Sequence, residues 1–373
     1  MKRAKNPDDA SAATGVWPEM REVPFDGGTW DLRAGESRVE DHLGRRSLYL
    51  KGGIATVAGQ SFVDGALAVD VAFGGERGFM GAIWRVADAG NYEEFYLRPH
   101  QSGNPDATQY TPVFNGVSGW QLYHGERYAV PAVHRPDAWV RLAIVFAGPR
   151  AEVYLGGAEV PLLTIDELKR GIAPGGVGVS ALDFAPAHFS RFSFTAAPVP
   201  LRGRPRTAPV AAPPNAPAGV VRWWWVSDAF REGRLGDKLE LDPGDLAPRT
   251  WTRLEAEPAG LANLARVQGI AMGRNTVLAR TVMVAERDCV RRLDFGFSDR
   301  VRVFLNRRLL YRGDDGQGSR DYRFLGSIGY FDALYLPLVR GENELVLAVS
   351  EDNRGGWGVQ ARFADPEGIA FKD

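Results

Sequence analysis

Tyr92, Glu94, Tyr96 and Arg98 alternate with Phe95 and Leu97 in the run NYEEFYLRPHQSGNPDATQY, which begins at Asn91. Successive strand residues point to opposite faces, so a strand here turns Phe95 and Leu97 to a core and an acid, two phenols and a guanidinium to the far side. That set suits a hydroxyl-rich ligand: aromatic faces match the C–H side of a pyranose, and the charged groups bond its hydroxyls. Arg98, Pro99 and His100 add an imidazole beside the guanidinium. Glycoside hydrolysis needs two carboxyl groups about 5–9.5 Å apart across the scissile bond. Glu93 and Glu94 cannot form that pair, because neighbours on a strand diverge. Glu94 with Asp106 can, if the polar loop His100–Gln109 returns over the strand.

The flanking segments must hold these groups. GALAVDVAF (Gly65–Phe73) has a clean period of two, with Leu67, Val69, Val71 and Phe73 on one side. GFMGAIWRV (Gly78–Val86) puts Met80, Ala82 and Trp84 inward. Through the turn ADAGN, its Arg85 is expected beside Glu94 on the exposed side of a hairpin. QYTPVF and GWQLYHG read as strands joined by Asn115-Gly116, a hairpin signal. They offer Gln109, Asn115 and Gln121 as amide contacts and Trp120 as a platform, with Tyr96 as a second exposed ring and Tyr92 beside them. SLYLKGG and IATV read as two short paired strands. WVRLAIVF and AEVYL pair back across Gly148-Pro149. TIDELKRG carries a helix signal, with Thr164 as cap, Glu167 completing a capping box and Gly171 as terminator.

The spacing predicts an all-β chain of two β-sandwich (jelly-roll) domains joined by a Pro-rich linker. Residues 1–24 form a lead-in, 25–195 the first sandwich, 196–219 the linker and 220–373 the second sandwich. Seven prolines in 196–219 forbid a helix interior or a central strand. In the second domain, VRWWWVSDAF alternates so that Trp224 faces away from Trp223 and Trp225, and packing between domains is the favoured role for these rings.

Composition narrows the function classes. The formal net charge of −1 excludes a broad basic field for nucleic acid. No apolar run is long enough for a membrane-spanning helix. The single cysteine, Cys289, excludes an internal disulfide. The N-terminal stretch lacks the apolar run of an intact signal peptide, and cytoplasmic and periplasmic or secreted settings both remain open. No zinc spacing, phosphate loop or G-x-S-x-G motif occurs, and no cofactor is expected. Asp299, Asp321, Glu351 and Asp352 offer oxygen ligands, but without the spacing of a calcium loop.

FVDGALAVDVAF, RGFMGAIWR, NYEEFYLRP, WVRLAIVFAGPRAEVYL and HFSRFSF, within Ser47–Thr195, resemble the concanavalin A-like/laminin G-like sandwich superfamily, with the bacterial 3-keto-disaccharide hydrolase family the nearest look. That resemblance implies a ligand site on the concave outer face of one sheet, at Arg85, Glu94, Tyr96 and Arg98. FSDRVRVFLNRRLLYRG, VRGENELVLAVSED and GGWGVQARF resemble the galactose-binding-like jelly-roll modules of many glycosidases, with Arg307 where glycine is usual after Asn306. Three readings follow: saccharide binding on the first sandwich; glycoside hydrolysis through Glu94 and Asp106; and a non-catalytic structural or adhesion module for a protein partner. Oligomeric state is not legible.

Overall fold

The computed structural model describes residues 19–203 and 218–372. Most of the expected lead-in and the proline-rich centre of the expected linker lie outside them. The described chain is nearly all β, as expected, with one four-residue α-helix, Pro243–Leu246, and three 3-10 turns. It forms two compact units. The first comprises 19–87, 93–108 and 129–203; the second comprises 88–92, 109–128 and 218–372.

In the first unit the antiparallel strands run in the spatial order Leu163–Ile165, Arg150–Leu155, Val140–Ala147, Gly65–Phe73, Ala187–Thr195, Arg45–Val57, Gly176–Ala181, Met80–Asp88, Asn91–Leu97, the last two reaching into 88–92. Trp30–His42 pairs with Arg45–Val57 along its length. The expected pair of short strands, SLYLKGG and IATV, is one continuous strand. Its Leu48–Leu50 part pairs with Ala187–Phe189 and its Gly53–Thr56 part with Gly178–Ala181. The turn from one layer to the other falls at Gly52 (φ +71°) and Gly53 (φ +148°). A side chain at Gly53 would strike the Arg33 carbonyl oxygen, 2.0 Å from the Cβ position, so only glycine fits the corner.

The core lies between the layers. Leu67, Val69, Val71, Leu142, Ile144, Phe146 and Phe189 from one layer, and Trp84, Phe95, Leu97, Val177 and Val179 from the other, are fully buried. Trp84 stacks on Phe146 at 6.2 Å. The outer side of Gly65–Phe73 is buried too. Ala66 and Ala68 pack with Val145, Tyr154 and Val199, and Asp70, 1% exposed, receives Arg45 (2.6 Å), Arg141 (3.2 Å) and Arg191.

The helix expected at TIDELKRG does not form. Thr164 pairs with Glu152 in a strand, and Leu163, Ile165 and Leu168 are buried. A helix would place Leu163 and Ile165 on diverging faces, whereas a strand turns both to the core.

The second unit has two antiparallel sheets. One runs Trp251–Glu255, Trp223–Ser227, Thr276–Ala285, Gly341–Ser350, Arg300–Leu305, Arg308–Asp314, with Ile369–Lys372 also on Thr276–Ala285. The other runs Leu261–Asn263, Gly358–Phe363, Cys289–Ser298, Asp332–Leu338. Trp224, Trp357, Phe295 and Phe297 fill the space between them, together with Val117. Trp223 lies under the Arg253 guanidinium at 3.8 Å and Trp225 is 37% exposed. Asn115 (φ +50°) and Gly116 (φ +76°) make the expected two-residue turn, with Phe114 paired to Val117. GWQLYHG is not a strand: beyond Val117–Ser118 the chain runs through turns.

Candidate functional site

Within the first unit, one face gathers Glu94, Tyr96, Arg98, His100 and Asp106. Phe95 and Leu97 are wholly buried, as alternation requires, and Glu93 shares their side, where its Oε1 accepts from Arg170 N at 2.9 Å. Glu94 therefore stands on the opposite side. Ser180 Oγ donates to its Oε1 at 2.6 Å and is its one hydrogen-bond partner among the described residues. Burial raises the Glu94 carboxyl to about 7, against a smaller opposing effect of the Ser180 bond.

Tyr96 is two residues on. Arg98 Nη2 donates to its hydroxyl at 3.1 Å, and Arg98 Nη1 makes a short ion pair with Asp106. Burial lifts the Tyr96 phenol to about 12, with Glu94 and Asp106 adding to the rise and Arg98 opposing it. The loop brings Asp106 back by a chain of its own backbone bonds: Gln101 N to Arg98 O, Asn104 N to Gln101 O, Ala107 N to Asn104 O and Arg98 N to Ala107 O. His134 Nε2, against Ala107 O at 2.8 Å, fastens the returning end. The loop thus folds back on Arg98 rather than away from it.

Phe79 is the hub of this face. Its ring lies 5.4 Å from Tyr96, 5.3 Å from His100 and 5.8 Å from Phe184, each edge-on, and 5.2 Å from the Arg98 guanidinium. His100 Nδ1 accepts weakly from Gly78 N at 3.4 Å. Burial, with Arg98 and Arg77 nearby, holds the His100 ring below the usual histidine range, which keeps it neutral near pH 7. Phe184 is 50% exposed and carries Arg77 over its ring at 5.7 Å.

Two expectations change. Arg85 does not share the face of Glu94. Pairing steps from Trp84↔Val177 to Val86↔Gly176, leaving Arg85 as the extra residue of a bulge with φ +48°. Its buried guanidinium donates to the Val63, Gly148 and Gly171 carbonyls and reaches Asp64 at 3.4 Å. Alternation predicts the wrong side because a bulge resets it. Tyr96 is 3% exposed rather than an open platform, because Phe79 and Arg98 cover it.

Tyr92, Gln109, Asn115, Trp120 and Gln121 belong to the second unit. Gln109 Nε2 donates to the Trp120 and Tyr123 carbonyls at 3.0 and 2.8 Å. Asn115 Nδ2 donates to Ala265 O at 2.9 Å and Gln121 Nε2 to Leu325 O at 3.0 Å. These amides fasten the 109–128 segment into its unit. Tyr92 and Trp120 are half-buried.

Sequence reasoning passed over Ser180, Phe79 and Phe184. Ser180 was findable: GVGVS alternates, which puts Gly176, Gly178 and Ser180 on the side opposite buried Val177 and Val179. Phe79 and Phe184 are joined through tertiary structure alone. Two hollows lie elsewhere. One is lined by Glu19, Arg21, Gln60 and Phe194, the other by an arginine group in the second unit. Among the described residues, no three His, Cys, Asp or Glu side chains are grouped to hold a metal ion, and no helix is long and apolar enough to cross a membrane.

No protein-family model matches the chain, and no curated protein matches it. Among solved structures, it is similar to a carbohydrate-binding module, CBM66, from Bacillus subtilis (15% identity, 44% of this chain and 93% of that one, TM-score 0.34). It is also similar to a protein of unknown function with a galectin-like fold from Bacillus subtilis (10% identity, 47% and 97%, TM-score 0.33). A third is a xylan β-1,4-xylosidase from Bacillus halodurans (16% identity, 48% of this chain and 39% of that one, TM-score 0.32).

Proposed function

We propose that the first unit binds a saccharide on the face bearing Glu94, Arg98, His100 and Asp106. The observation that carries this reading is the pairing of an exposed ring, Phe184, with that polar group through the shared hub Phe79. A pyranose needs both: an aromatic face for its C–H side and directed donors and acceptors for its hydroxyls. Here Glu94, Asp106 and the neutral imidazole accept, while the buried Arg98 holds Asp106 in place. Tyr96 acts from beneath, holding Arg98 in place.

A second reading, glycoside hydrolysis, draws support from one feature. A carboxyl raised to about 7 is about half protonated at neutral pH, and the protonated form can deliver its proton to a leaving oxygen. Glu94 is then the general acid, and Asp106, held by Arg98, the second carboxylate.

A panel of neutral oligosaccharides and 3-keto-glycosides, read by calorimetry and by product release, tests both. Phe184→Ala is expected to weaken binding by roughly tenfold, the loss of one stacked ring. Unchanged binding in Phe184→Ala and Arg98→Ala would sink the assignment of this face. Cleavage abolished in Glu94→Gln with binding retained selects the hydrolase; binding without cleavage selects the lectin-like role.

A further inference from the structure

A hollow of ≈ 420 Å³ in the second unit is lined by Arg231, Arg234, Arg249 and Arg274, with Phe230 and Asp228. Its volume falls within the range of about 300–1,000 Å³ typical of ligand pockets. Four guanidiniums here face one carboxylate. The Arg249 guanidinium lies on the Phe230 ring, 3.8 Å from its centre, donates from Nε to Asp245 O at 2.8 Å, and stands 3.7 Å from Asp228. Its side chain is 4% exposed, so it forms a fixed wall.

The other three guanidiniums have no ion-pair partner among the described residues. The nearby acids are already engaged: Glu232 with Arg300 at 2.6 Å, Asp245 with Lys238 at 2.7 Å, and Asp228 with Thr250 N at 3.0 Å besides Arg249. Arg231 caps the Glu232–Leu235 3-10 turn and Arg234 lies within it, one turn on, with Arg234 N bonded to Arg231 O. The Ala271–Arg274 turn supplies Arg274. Its Gly273, at φ +71°, lies so close to the Arg231 guanidinium that a Cβ there would stand 3.1 Å from Nη2. Burial pushes the Arg249 guanidinium below its usual range; Asp228 opposes the shift and the Arg234 charge adds to it.

We infer that this hollow binds an oxyanion-bearing ligand of about monosaccharide to disaccharide size, its carboxylate, sulfate or phosphate group seated among Arg231, Arg234, Arg249 and Arg274. Guanidinium forks match such groups bidentately, and Phe230 and Met272 supply apolar contact. The site is separate from the Glu94 face and does not depend on that reading.

The test uses the full chain, with sodium sulfate, sodium phosphate, glucuronate, sodium chloride and glucose as probes at matched ionic strength, read by calorimetry and thermal shift. At least one anionic probe is expected to give a response above that of chloride which Arg234→Ala/Arg274→Ala removes, whereas any glucose response is the same in that variant. A tighter response to glucuronate identifies a sugar carboxylate as the ligand group, and a tighter response to sulfate or phosphate identifies an ester. Arg234→Ala/Arg274→Ala, at exposed positions chosen to spare the fold, should weaken binding by roughly tenfold or more, the loss of charge-assisted hydrogen bonds. Equal responses to all the salts, including chloride, or full binding by the folded double variant, overturns the proposal.

Discussion

Ser180 Oγ donates to Glu94 Oε1 at 2.6 Å, a bond between two strands of the first unit's outer face. It opposes the burial that drives the carboxyl upward. Removing it in Ser180→Ala leaves burial unopposed, so the Glu94 carboxyl should titrate above its present value of about 7. Carbon-detected NMR titration of the glutamate carboxyls reads this directly; an unmoved midpoint would mean that the hydroxyl does not hold that carboxyl.

The same group makes stability depend on pH in a defined direction. The Glu94 pKa is raised from 4.5 to about 7 on folding. Between those values the folded state holds a proton that the unfolded state has lost. Its contribution is therefore full below pH 4.5 and is lost as pH rises through about 7. Glu94→Gln cannot titrate. The melting-temperature difference between Glu94→Gln and the parent should shift in favour of the variant from pH 5 to pH 8, as scanning calorimetry can follow.

In the second unit, Glu351 and Asp299 are buried to 0% and 1% exposure. Asp299 Oδ1 and Glu351 Oε2 have no hydrogen-bond partner among the described residues. Burial, then mutual repulsion, raises Glu351 well above the ordinary carboxyl range, and burial raises Asp299. Glu351→Gln removes one of the two charges, so it should stabilise the unit at pH 8 by on the order of 1 kcal/mol, measured by urea unfolding, with a smaller gain at pH 5.

Asp70 is the sole buried anion set against Arg45, Arg141 and Arg191. Asp70→Asn leaves three guanidiniums around an uncharged side chain and should cost about 3 kcal/mol. Arg191→Ala, at the most exposed of the three, should cost less than about 1 kcal/mol. Chemical denaturation of both variants separates a hub from three equal pairs.

Much of this was legible. Period-two alternation identified the Gly65–Phe73, Val140–Ala147 and Asn91–Leu97 strands and the inward or outward sense of Phe95, Leu97 and Glu94. It also separated Glu93 from Glu94. Turn chemistry found Asn115-Gly116. What failed has physical causes. The bulge at Arg85 shifts side-chain sense by one, and nothing in WRVAD announces it. TIDELKRG carries capping residues, but Ile165, with Leu163 just before it, was needed by a sheet, and tertiary burial outranks local propensity. The 109–128 segment reads as part of the first domain by sequence order, yet Val117 is buried in the second core. Alternation shows that a side is apolar, not which core will receive it. The Phe79 hub and the arginine hollow both join residues remote in sequence, beyond the reach of any periodic pattern.

The glycine corner at Gly52 and Gly53 has a consequence for how the first unit comes apart. One strand serves as a rung in both layers, pairing at Leu48–Leu50 with one and at Gly53–Thr56 with the other. Opening either layer strips hydrogen bonds from the strand that also anchors its neighbour. The layers therefore melt as one cooperative body. Amide protons on either side of the corner should exchange with solvent through the same global opening, with no cheaper route for one half.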